Sequence, residues 1–137
     1  MNSGPRSIPR SAWALLAGLF AGVILSLGTD EVLHLARVYP PWGESMSDAL
    51  FALATAYRAI YSAASCYIAA RLASHRPMWH ALVLGVAGVF LSGLGAAATW
   101  NREPPLGPHW YSLALIALAM PCAWLGGRLR EIQLGEQ

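Results

Sequence analysis

Lysine is missing from this chain of 137 residues, and all nine basic residues are arginine. That absence carries no mechanism. The shortage of charge as a whole does, because 12% charged against 56% hydrophobic residues falls well short of the roughly 25% charge of a soluble domain. Only two cysteines occur, Cys66 and Cys122, and they form no CxxC motif. Both precede an arginine (Arg71, Arg128) at a similar remove, so they share a depth. Their expected role is that of small apolar fillers rather than of a redox pair. There is no GxSxG and no phosphate-binding loop, and Ser62 and Ser65 have no base within helical reach, which removes support for nucleophilic catalysis. A net charge of +2 is too small to suggest nucleic acid. No soluble domain and no long linker can be placed.

What is present is apolar sequence in long runs, at 12–29, 49–70, 78–100 and 110–127. Each is long enough to span the hydrocarbon of a bilayer. The expectation is an all-α, four-helix transmembrane bundle forming one domain over 1–137, with spans near 12–33, 48–71, 78–100 and 109–127. The first run has a small-residue stretch, Ser26-Leu27-Gly28, of the kind cleaved after a signal peptide. It also has Gly18-x-x-x-Gly22, extended to Ala14 and Ser26, a pattern that lets helices approach closely. The motif favours a retained span. Residues 1–11, with Gly4, Pro5, Arg6, Pro9 and Arg10, read as a basic tail. Pro40-Pro41-Trp42-Gly43 breaks the chain before a second helix that Ser45 or Ser47 can cap. Pro121 allows a kink in the fourth span, which is expected to end at Gly126-Gly127-Arg128.

The chain is organised around 48–71, where Arg58 sits among tyrosines inside an otherwise apolar span. A guanidinium in hydrocarbon costs roughly 2.5–3.5 kcal/mol on insertion scales, so it needs a partner. Arg58 lies seven residues beyond Phe51, about 10 Å below the expected boundary at 1.5 Å per residue. Two seams run along this span. Ala49, Ala52, Ala56, Ala59, Ala63, Cys66 and Ala70 make a smooth one, and Asp48, Thr55, Arg58, Ser62 and Ser65 a polar one. A third seam, Ala81, Gly85, Gly88, Ser92, Gly95 and Thr99, is expected to be buried against neighbouring helices.

Arginine placement sets the expected orientation. Arg6, Arg10, Arg71, Arg76, Arg128 and Arg130 fall at one side, whereas the other side has Arg37 and Arg102 against Asp30, Glu31, Glu44, Asp48 and Glu103. Both termini are therefore expected in the cytoplasm. Trp13, Trp79 and Trp124 would mark the inner interface, and Trp42, Trp100 and Trp110 the outer one. The segments GTDEVLH, YPPWGE, ATAYRAIY, TWNREP and GPHWY resemble those of a group of small four-span bacterial membrane proteins. The resemblance covers most of the chain and implies a bacterial inner-membrane location. It brings no activity with it.

Reactive side chains collect at the outer helix ends: Asp30, Glu31, His34, Tyr57, Arg58, Tyr61, Asn101 and His109. Side chains lean toward the N-terminus of their helix, so Asp30 leans inward on an outgoing helix and Arg58 outward on an incoming one. Arg58 is expected to pair with Asp30 or Glu31, supported by Tyr57 or Tyr61. The same cluster could hold a ligand. Glu31-x-x-His34 has the spacing of di-iron helices but occurs once, and His34 with His109 is a weak haem pair, so neither metal nor cofactor is expected. His75 and His80 read as interface residues. The leading functional expectation is a non-enzymatic membrane bundle in contact with lipid, self-associating or serving as a partner subunit. A transporter or channel using Arg58 near the outer mouth is the alternative, and an outer-face metal or haem enzyme the third.

Overall fold

Four helices, α1 (Ser7–Leu35), α2 (Asp48–Leu72), α3 (Pro77–Thr99) and α4 (His109–Gly135), make up the computed structural model, which describes residues 7–103 and 107–135. No strand occurs among the described residues. The expectations for Gly4, Pro5 and Arg6, and for Pro104, Pro105 and Leu106 in the loop after α3, lie outside them.

Three of the helices, α1, α3 and α4, are long and apolar enough to cross a membrane, and α2 is not. The expectation that 48–71 is apolar enough to span is corrected there. Asp48, Thr55, Arg58, Ser62, Ser65 and Arg71 dilute α2, as do Tyr57, Tyr61 and Tyr67. Like α3, it touches all three other helices, so most of that polarity has protein to face.

Helix ends follow local chemistry. Ser47 caps α2, its hydroxyl accepting from the Leu50 amide at 3.4 Å. Pro77 opens α3, where its missing N–H is no loss. α1 starts earlier than expected, taking Pro9 into its first turn for the same reason. Its far end closes through Arg37 in the left-handed region (φ 61°), with the Val38 and Tyr39 amides both returning to the Leu33 carbonyl at 3.0 and 3.1 Å.

The helices run alternately up and down. One end, here called proximal, carries the start of α1 and the turn after α2; the other, distal, carries the connection 36–47, the end of α3 and the start of α4. The proximal half is packed backbone to backbone. A Cβ on Gly126 would stand 2.5 Å from the Ala63 carbonyl and 2.7 Å from the Tyr67 amide, and one on Gly127 would stand 2.7 Å from the Met78 sulfur. Gly126-Gly127 is therefore a notch where α4 crosses α2 and α3, not the helix end expected from sequence, and α4 continues to Gly135. A Cβ on Gly18 would meet the Ser65 carbonyl at 2.7 Å, and the Ser65 hydroxyl donates to the Gly18 carbonyl. Cys66, Ala69, Ala70, Ala81, Leu84 and Ala123 fill the core between these contacts. Both cysteines are buried and free.

His80 is another correction. It is fully buried rather than interfacial, its Nδ1 donating to the Arg76 carbonyl at 3.0 Å and its Nε2 accepting from the Ser11 hydroxyl at 2.9 Å. That link ties α1 to α3 at the proximal end. Towards the distal end the two helices separate.

Candidate functional site

The distal polar cluster begins with Asp30, near the end of α1, and Tyr57 and Arg58, two turns into α2. Arg58 Nη2 donates to Asp30 Oδ2, and the Tyr57 hydroxyl donates to Asp30 Oδ1. Both carboxylate oxygens are thus engaged by neighbours on one facing helix. The Tyr39 hydroxyl donates to the Tyr57 oxygen at 2.8 Å, so the chain of donors runs from the 36–47 connection through α2 to α1. Tyr39 is 4% exposed, and burial pushes its phenol above the ordinary tyrosine value. It stays a neutral donor at physiological pH.

Other residues of the expected cluster go elsewhere. Glu31 is exposed and outside the group. Tyr61 reaches Thr29, donating to its hydroxyl at 2.7 Å while that hydroxyl donates to the Leu25 carbonyl. His34 donates from Nδ1 to the Asp30 carbonyl at 2.7 Å and stacks on Trp42 at 3.8 Å between ring centroids. His109 is bound in the same style, donating from Nε2 to the Trp100 carbonyl at 3.1 Å and stacking on Trp100 at 3.8 Å. Each distal connection is thus clamped by a histidine–tryptophan stack, and the two imidazoles are committed to different partners. Among the described residues no three His, Cys, Asp or Glu side chains gather where a metal could bind.

Arg58 also faces open space. A groove of about 580 Å³ runs down the distal half of the bundle, walled by α1 and α3 and floored by α2 and α4. Its walls hold Gly22 and Ser26 from α1 and Gly88, Ser92, Gly95 and Thr99 from α3; Arg58, Ser62, Tyr111 and Ser112 line the floor. The third small-residue seam accordingly splits. Ala81 and Gly85 are buried as expected, but Gly88, Ser92 and Thr99 are half-buried and Gly95 is exposed. A Cβ on Gly95 would have nothing within 4 Å. The expectation that the whole seam packs on neighbouring helices is corrected: α1 meets α3 around Ser11, His80, Gly18 and Leu84, and the groove opens between them further along. The rim of the groove is apolar, with Val23 and Leu27 on one lip and Leu91 on the other, all substantially exposed.

Sequence reasoning did not find Tyr39, Tyr111 or Ser112. Tyr39 lies outside any helix, where periodicity assigns no face; a lone aromatic before Pro40-Pro41 was the available signal. Compared with known proteins, the chain matches no family model, no curated protein and no solved structure.

Proposed function

We propose that this is a non-enzymatic, multi-pass membrane protein, both termini cytoplasmic, acting as a small binding or partner subunit through its lateral groove. The location proposed is the bacterial inner membrane. The observation that carries the reading is the contrast between the two halves: closed by backbone contacts proximally, open sideways between apolar lips distally.

The membrane placement has independent support. Trp79 and Trp100, both exposed, stand at the two ends of α3, about 32 Å apart at 1.5 Å per residue. That matches a hydrocarbon thickness of about 30 Å and the aromatic belts of spanning helices. Arg10, Arg71, Arg76, Arg128 and Arg130 lie toward the proximal side, against Arg37 and Arg102 at the distal one, an arginine bias that favours the proximal end inside. α2 is carried across by its neighbours, its one deep charge neutralised by Asp30.

A channel or transporter would need a path from Arg58 through the proximal half. Cys66, Ala69, Ala81, Leu84 and Ala123 fill that half, so one copy offers a recess and not a passage. A metal or haem site at the distal face would need His34 and His109 to converge, and each is stacked on its own tryptophan in a different connection.

The test uses single cysteines at Glu44, Glu103 and Gly95 in a chain whose Cys66 and Cys122 have been replaced by alanine. Membrane-impermeant maleimide should label the first two from outside the cell and spare the third, while a lipid-soluble maleimide reaches all three. Labelling of Glu44→Cys or Glu103→Cys from the cytoplasm refutes the orientation. Labelling of Gly95→Cys from water refutes a membrane-facing groove and favours transport.

A further inference from the structure

We infer that the groove binds a single-chain amphiphile with an uncharged oxygen head group, an ester or alcohol, held by Arg58 with its chain lying toward the proximal core. This deepens the reading of the groove as membrane-facing and rests on it.

The shape selects the chain. The lining runs from Leu19 to Leu27 on α1, from Arg58 to Cys66 on α2 and from Leu84 to Thr99 on α3. At 1.5 Å per residue that is a trough about 12–22 Å long. An extended hydrocarbon chain lies along such a trough. The volume is also ordinary for a small-molecule site, where about 300–1,000 Å³ is usual. Polarity grades along it. Arg58, Tyr111, Ser112 and Thr99 stand at the distal end, and Leu84 and Ala119 at the proximal one. Entry is between Val23, Leu27 and Leu91, which are exposed and apolar, so the occupant arrives from lipid.

The charges select the head. Arg58 keeps 30% of its side-chain surface and lies on the groove floor, while its buried Nε has no acceptor. A guanidinium has five N–H donors, so capacity remains beyond the bond to Asp30. Asp30 is already matched to that guanidinium, one oxygen held by Tyr57 and the other by Arg58. An ammonium head would stand as a second cation beside Arg58, with no carboxylate on the groove lining to offset it. A carboxylate would stand as an uncompensated third charge beside a pair that is already neutral, which is costly out of water. An ester carbonyl or hydroxyl takes the spare donors and adds no charge.

The experiment photo-cross-links the full chain in phosphatidylcholine nanodiscs. Three probes share one diazirine-bearing chain and differ in the head: a monoacylglycerol, a fatty acid and an alkylamine. The expected result is saturable labelling by the monoacylglycerol, mapped to α1 and α3 peptides carrying Val23 and Leu91, with the charged probes weaker by about tenfold or more, the cost of one uncompensated charge. Gly95→Leu, which fills open space, should abolish the saturable component. Asp30→Asn should invert the order in favour of the fatty acid, because it frees the arginine charge. The inference is overturned if the fatty acid or amine labels the unmodified protein as well as the monoacylglycerol does. It is also overturned if Gly95→Leu labels like the unmodified protein, which would mean that lipid merely coats the bundle. Should Asp30→Asn not fold, the head-group order and Gly95→Leu decide alone. A groove labelled from water would defeat the membrane-facing reading itself, whereas a wrong head-group order defeats only the inference about the ligand.

Discussion

Removing the Arg58 guanidinium tests the central contact of the bundle most directly. In Arg58→Leu, Asp30 keeps its bond from Tyr57 and loses its countercharge while 14% exposed. Breaking one side of a buried pair costs about 3–5 kcal/mol, mostly for the charge left behind. Arg58 retains 30% exposure, so the lower end, about 3 kcal/mol, applies. At about 4 °C per kcal/mol for a chain of this length, that is a loss of about 12 °C in Tm. Adding Asp30→Asn removes the orphan charge, and its amide oxygen still accepts from Tyr57. The double variant should therefore recover about 1–2 kcal/mol relative to the sum of the singles, within the usual range for contacting residues. The assay is thermal unfolding in one detergent for Arg58→Leu, Asp30→Asn and the double. Strictly additive losses would refute the argument, because they would show that the two charges do not act on each other. Glu31→Gln supplies the control: exposed and outside the group, it should show no coupling to Arg58→Leu.

Packing predicts a sharp contrast between glycines. Gly126→Leu forces a side chain into the α2 backbone and should cost about 3 kcal/mol or more, the upper end for overpacking, whereas Gly95→Leu should change folded yield and Tm little; equal losses refute the two-halves picture. Tyr39→Phe removes one donor from the Tyr39–Tyr57–Asp30 chain and should cost about 1 kcal/mol, read as a few degrees of Tm. A neutral result would show that the tyrosine contact contributes nothing. Ser11→Ala leaves His80 Nε2 without its donor and should loosen α1 at its start, seen as faster amide exchange in residues 8–14 with the distal half unchanged.

How much of this was legible in the sequence depended on whether a residue sits in a regular helix. Arg58 advertises itself by charge in an apolar run, and the lean of helical side chains narrows its partner to Asp30 or Glu31. Choosing between them takes the rotation of α1, since neighbouring positions face directions about 100° apart on a helix of 3.6 residues per turn. The structure turns Asp30 inward. Gly126-Gly127 shows the limit of local reading: a glycine pair before arginine looks like a helix stop, and only the presence of Ala63 and Met78 makes it a crossing point. The groove is the clearest case. The seam from Ala81 to Thr99 permits close approach along its whole length, and which half is met by a helix is decided by α1 leaning away. α2 has the length of an apolar span, but its hydroxyls and charges dilute it below one.

The two attachments of α1 have a mechanical consequence. The helix is fixed proximally by Ser11 on His80 and by Gly18 and Gly22 on Ser65, and distally by Thr29 on Tyr61 and Asp30 on Arg58. Between Gly22 and Thr29 lies a length of about 10 Å at 1.5 Å per residue with no side-chain hydrogen bond to another helix among the described residues, and it forms one wall of the groove. A beam clamped at both ends bows rather than swings. Helices bend gently without breaking hydrogen bonds, so this wall can yield to a thicker occupant and spring back with every polar contact kept. Its width is an elastic property, set by the stiffness of two turns of helix.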